Sequence, residues 1–149
     1  MTGSKSIILA VLTLLCFSTF FIAGCNSTVN PNDLKEVDNN ALIIPDLIHY
    51  FEKNKVPIET VQLIRADVAH ADDAVSIKVA GKEIGIYKYN VKVKIQREKL
   101  AKIENEKFVY LIGFKKNVLV NGSFVMVGWE DNPQKELLEN VFMSFSNDR

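Results

Sequence analysis

An α+β domain, a mainly antiparallel sheet with helices packed on one of its faces, is what this chain predicts. Three observations point there. Segments near 44–53 and 133–145 repeat apolar residues at helical spacing. Short runs between them alternate apolar and polar residues, as half-buried strands do. Asn121-Gly122 stands between two β-rich runs and reads as a hairpin turn.

The elements follow in chain order. Ile44, Leu47, Ile48 and Phe51 recur at i, i+3, i+4 and i+7, one apolar stripe of a helix over 44–53. Pro45 is tolerated in a first turn, where its missing N–H costs least. Asp46 lies near the positive end of the dipole, and Asn54 and Pro57 end the helix. Residues 58–65 read as a strand with Val61 and Leu63 on one face. Residues 66–74 are acidic and Ala-rich, a loop or a single helical turn. Val75, Ile77 and Val79 alternate with Ser76 and Lys78 in a strand. Ala80-Gly81 turns the chain back into 83–89, where Gly85 marks either a bulge or a close packing point.

The middle of the chain is ambiguous. Val91, Val93 and Ile95 continue the alternation, whereas Gln96, Leu100 and Ile103 are helically spaced. The reading adopted is strand to about Ile95, then a short helix over 96–105 supported by a Glu98 and Lys102 pair. Residues 107–114 are apolar enough for a central strand, and 116–120 and 123–129 flank the Asn121-Gly122 turn. A type I′ turn there would place Asn121 and Gly122 at positive φ. Asp131 or Asn132 caps the last helix, with Pro133 in its first turn. Leu137, Leu138, Val141, Phe142 and Phe145 line its buried face. The aromatic residues Tyr87, Tyr89, Phe124 and Trp129 are candidates to fill the second face of the sheet. No internal repeat is evident, although each half ends in a hairpin.

The 149 residues, 48% hydrophobic and 24% charged, suit one globular domain rather than a disordered chain. The formal net charge of zero hides an asymmetry. Residues 25–77 carry four basic and nine acidic side chains, 78–116 eleven and four, and 117–149 two and five. A basic block thus lies between two acidic segments. If its lysines share a face, that face favours anionic lipid, an acidic protein or a polyanion. The alternative is a solvated face whose charges pair with the flanking segments.

The first 24 residues have a different character. Lys5 precedes an apolar run over 7–23 that only Thr13, Ser18 and Thr19 interrupt. That is the pattern of an export signal. Its 17 positions also approach the lower limit of a membrane-crossing helix, so an uncleaved anchor is the competing reading. The run ends in Ile22-Ala23-Gly24-Cys25, which resembles the lipobox of bacterial lipoproteins. The resemblance implies a thioether-linked diacylglycerol on Cys25, which becomes the first mature residue. Residues 1–24 are then the signal peptide, 25–40 a flexible tether rich in Asn, Asp and Ser, and 41–149 the compact domain. Two acyl chains make a durable anchor to the bilayer. Cys16 leaves with the signal, so the mature domain carries no disulfide. Asn26 rather than Asp follows Cys25. The expected location is therefore the extracytoplasmic face, on either the outer membrane of a Gram-negative cell or the plasma membrane of a Gram-positive one. The Asn121-Gly122-Ser123-Phe124-Val125 hairpin and the amphipathic last helix make the domain similar to small lipoproteins of Bacillus-like Gram-positive bacteria. That similarity carries no active site onto these residues.

Chemistry has few candidates. Asp67, His70, Asp72 and Asp73 form a carboxylate-rich segment, but without calcium-loop spacing or its glycine, and with too few N or S ligands for zinc. They are weak metal candidates or the centre of a small hydrolase or metal-dependent enzyme. Otherwise they form a solvated acidic loop. Ser76 and Ser123 have no nucleophile elbow, and Gly81-Lys82 is a turn rather than a phosphate loop. His49 falls beside the apolar stripe of its helix and reads as a surface histidine. Lys88, Lys92, Lys94, Arg97, Lys99 and Lys102, interleaved with Tyr87 and Tyr89, form the candidate binding surface. Nucleic acid is a poor match for an extracytoplasmic, Arg-poor block. The preferred expectation is a membrane-anchored surface binding domain without catalysis or cofactor. Its partner would be an envelope protein, an incoming protein, anionic lipid or a wall polymer. A structural envelope component is the remaining alternative.

Overall fold

A computed structural model describes residues 39–147. The expected signal peptide, Cys25 and the expected tether up to residue 38 lie outside those residues. The order is α1 (Ile44–Lys53), β1 (Ile58–Leu63), a 3-10 turn (Asp67–Ala69), β2 (Asp73–Val79), β3 (Lys82–Lys88), α2 (Lys94–Glu106), β4 (Phe108–Leu111), β5 (Phe114–Asn121), β6 (Phe124–Val127) and α3 (Lys135–Met143). The strands form one antiparallel sheet in the order β1-β2-β3-β6-β5-β4. The fold is α+β and a single domain.

Register decides which side chains meet. Val75 pairs with Ile86, and Ile86 with Met126, so these three share one face. The stripes of α1 (Ile44, Leu47, Phe51) and α3 (Leu138, Val141, Phe142) bury on that face. Both end helices therefore share a side, as the pattern predicts. Tyr87 pairs with Val125, and Val118 with Val127, on the opposite face. There α2 docks through Leu100 and Ile103. Cover on the second face is thus an addition to the one-face expectation. Tyr87 and Tyr89 belong to this second core, whereas Phe124 and Trp129 belong to the first.

Local chemistry places the element ends. Asp46 accepts a hydrogen bond from the Ile43 amide at 2.9 Å and satisfies one free N–H of α1. Asn54 closes that helix by donating to the Tyr50 carbonyl at 2.8 Å. Strand β3 stops at Lys88 instead of running to Ile95. The cause is Asn90: its side chain accepts the Lys92 amide at 3.1 Å, and its own amide donates to Gln96 Oε1 at 2.7 Å. This Asx turn starts α2 two residues before the predicted position. Glu98 pairs with Lys94 and Lys102 with Glu106, rather than Glu98 with Lys102. Gly85 is a close packing point, since a Cβ there would sit 2.8 Å from Val127. Asn132 caps the approach to α3, accepting the Gln134 amide at 2.8 Å and donating to the Val79 carbonyl at 2.8 Å.

Two strand assignments change. The segment 107–114 is not a central strand: β4 is the edge, and the centre is β3 with β6. It also contains a turn, with Ile112 at φ 50° and Gly113 at φ 81° between the paired Leu111 and Phe114. Two successive positive φ values are the pattern of a type I′ hairpin. At the next hairpin the turn residues are Gly122 and Ser123, because Asn121 still pairs with Phe124. Of these, Gly122 has positive φ, 54°. Asn121 stays in the strand because its buried amide donates to the Phe142 and Phe145 carbonyls, at 2.6 and 2.8 Å.

Candidate functional site

The basic block does not form one surface. Lys88 faces the α1/α3 side and is buried. Its ammonium donates to Ser123 Oγ and to the Asn40 carbonyl at 3.1 Å, and stands 4.4 Å from the centre of the Phe124 ring. Burial pushes its pKa down to about 8, and the charge of Asp72 opposes that shift. Lys92 lies in the turn before α2, and Lys94, Arg97, Lys99 and Lys102 spread around that helix. Two of them form exposed ion pairs, Lys94 at 3.8 Å to Glu98 and Lys102 at 3.7 Å to Glu106. The Arg97 guanidinium turns back to the Val91 carbonyl at 3.2 Å. Among the described residues its Nε, shut from solvent, has no hydrogen-bond partner.

The acidic loop disperses as well. Asp67 holds Arg65 with two hydrogen bonds, one of them 3.0 Å, and this keeps its carboxyl below the usual range. His70 is exposed in left-handed conformation, φ 55°, at the end of the 3-10 turn. Asp73 opens β2, its carboxylate accepting the Ala74 amide at 2.8 Å. Asp72 is held through its amide, which donates to the Lys88 carbonyl at 2.8 Å. Among the described residues no three His, Cys, Asp or Glu side chains come together to hold a metal ion. His49 is exposed on α1, beside a shallow groove of about 370 Å³ floored by Val61 and Leu63.

Sequence reading missed a polar clasp. Asn39, counted above as tether, is fully buried. Its side chain donates to the Asn121 carbonyl at 2.9 Å and accepts the Ser123 amide at 3.1 Å. Lys88 and Ser123 close the cluster from the sheet side. The domain therefore begins by Asn39, and the chain enters at the sheet end where β3 finishes and β5 turns into β6. Both Lys88 and Ser123 are shut from solvent, so the pair is a fastening rather than an exposed nucleophile with its base.

Among the described residues, Leu63 and Ile95 are exposed singly or in pairs, and the largest group of exposed apolar side chains is on the β4–β5 hairpin. Tyr110 is 60% exposed, Ile112 81% and Phe114 70%. Three large apolar side chains on one turn would normally be buried. Ile112 is moreover β-branched and left-handed, a combination that costs roughly 1–2 kcal/mol. The tip and β4 lean on the loop after β1. Ile112, Ile64, Arg65, Val68 and Tyr87 line an apolar cleft of about 710 Å³, and β4 touches the 3-10 turn. Tyr87 forms part of this cleft, and burial raises its pKa. The missed signal was Ile112-Gly113. Glycine permits the turn, but isoleucine conceals it within an apolar run.

No family model matches this chain, nor does any curated protein or solved structure. Among the described residues no helix is long and apolar enough to cross a membrane.

Proposed function

We propose that this chain is a lipid-anchored interaction domain on the extracytoplasmic face of a membrane, and that it acts by binding rather than by chemistry. Its contact surface is the β4–β5 hairpin with the adjoining cleft. One observation carries the assignment of the surface: Ile112 is held in a costly backbone conformation at the tip of a turn and left 81% exposed. Strained backbone positions cluster at binding and switch regions. The anchor rests on Ile22-Ala23-Gly24-Cys25 at the end of the apolar run. The partner classes are those that an apolar, basic-flanked tip attracts: an envelope protein, an incoming protein, anionic lipid or a wall polymer.

Two measurements test this. Mass analysis of the protein from its native cells should give an N-terminal peptide starting at acylated Cys25; an unmodified thiol there removes the anchor. Crosslinking on intact cells should recover the same partner from the parent chain and from a charge reversal at Lys94, Lys99 and Lys102. Ile112→Asn should lose it. Retention by Ile112→Asn with loss in the α2 variant would return the contact surface to the basic block.

A further inference from the structure

The chemistry around the hairpin tip narrows the partner. Residues 107–121 contain Lys107, Lys115 and Lys116 and no acidic side chain. Lys107 is exposed at the end of α2, and Lys115 and Lys116 are exposed on β5. None of the three has an ion pair within 4 Å among the described residues. Lys115 lies over the Phe108 ring, 4.1 Å from its centre, so its charge sits along the hairpin stem behind the apolar tip. The tip leans on the loop between β1 and β2, and that loop is bonded to Lys88 through the Asp72 amide. Lys88 in turn holds Asn39 and Asn40. The tip adjoins Phe114 at the start of β5, whereas Asn39 is clasped at Asn121, the end of that strand.

We infer that the β4–β5 hairpin docks on the anionic lipid surface to which the chain is tethered. This rests on the preceding reading of the hairpin as the contact surface. Ile112 and Phe114 enter the boundary between headgroups and acyl chains, Tyr110 lies at headgroup level, and the three lysines meet lipid phosphates. Each lysine near an anionic surface favours the docked state by roughly fivefold, and the three together by about a hundredfold.

The test uses the full chain reconstituted on vesicles, with Phe114→Trp as reporter and the parent chain as background for Trp129. On vesicles containing phosphatidylglycerol, brominated acyl chains should quench the added indole. Quenching should vanish on phosphatidylcholine alone. Replacing Lys107, Lys115 and Lys116 by Gln should lower the docked-to-undocked ratio by about a hundredfold. Ile112→Asn should lower it at least about tenfold while leaving the circular dichroism of the fold intact. Absence of quenching on phosphatidylglycerol, or equal quenching on both compositions, overturns the lipid assignment. If Ile112→Asn still abolishes the crosslinked partner on cells in that case, the hairpin remains the contact surface and its occupant is a protein. If it does not, both readings fall.

Discussion

Replacing Ile112 by Asn should make this protein more stable. The side chain is 81% exposed, so less than a fifth of its apolar surface contributes to packing. Losing that fraction costs about 0.5 kcal/mol at most. Against it stands the backbone: φ is 50° at Ile112 and 81° at Gly113. The left-handed region costs an ordinary L-residue roughly 1–2 kcal/mol, and Asn relieves much of this because its short polar side chain bonds locally. The net expectation is a gain of about 0.5–1 kcal/mol. Urea unfolding followed by far-ultraviolet circular dichroism reads this directly. With a slope of about 1–3 kcal/mol per molar, the midpoint should rise by roughly 0.2–1 M at unchanged slope. Ile112→Val is the control: it keeps the branch at Cβ, keeps the strain, and should not stabilise. A midpoint that stays or falls in Ile112→Asn would refute the claim that Ile112 is retained against stability. Equal gains in Asn and Val would move the cause from the backbone to the exposed apolar surface.

Other consequences are as direct. Lys88 titrates near pH 8 when folded and near 10.5 when unfolded, so between those values the unfolded chain binds the extra proton. Stability should rise with pH from 8 toward 10, by at most about 3 kcal/mol, and Lys88→Met should flatten that rise. Tyr87 and Tyr89 have raised folded pKa values through burial, so above pH 10 they work the other way and stability should fall. Denaturant melts across this range check both slopes. Gly122→Ala should cost more than about 2 kcal/mol, because φ is 54° and a Cβ would fall 2.2 Å from Asn39 Oδ1, forcing the clasp apart. A loss under 1 kcal/mol in urea would show that Asn39 is not fastened there. Asn121→Ala removes two donors from the Phe142 and Phe145 carbonyls and should cost about 2–4 kcal/mol, read as a lowered thermal midpoint.

Several parts of the fold were legible because their causes are local. The bounds of α1 follow from its stripe, Pro45 and Asn54, and the stripe of α3 likewise marked its buried face. The Ala80-Gly81 turn appears where expected, at φ 48° and 76°. The candidate site was less legible. Lys88 continues an alternating run with its neighbours, and nothing in that pattern says that its face is sealed by Asn39 and α3. Tyr110, Ile112 and Phe114 read as core because apolar runs usually are core. Their exposure becomes visible only once β4 proves to be the outermost strand.

Spacing and turn chemistry alone established that two amphipathic helices bracket an antiparallel sheet, since each depends on residues a few positions apart. The apolar run ending in Cys25 is equally a local pattern, and it carries the expectation of an anchor. Strand order, the docking of α2 on the second face, the burial of Lys88 and the strained exposure of Ile112 came from tertiary contact. These depend on partners tens of residues away: Asn39 meets Ser123 across 84 positions. Which of many possible partners wins is a competition between whole surfaces, and no short window of residues contains it.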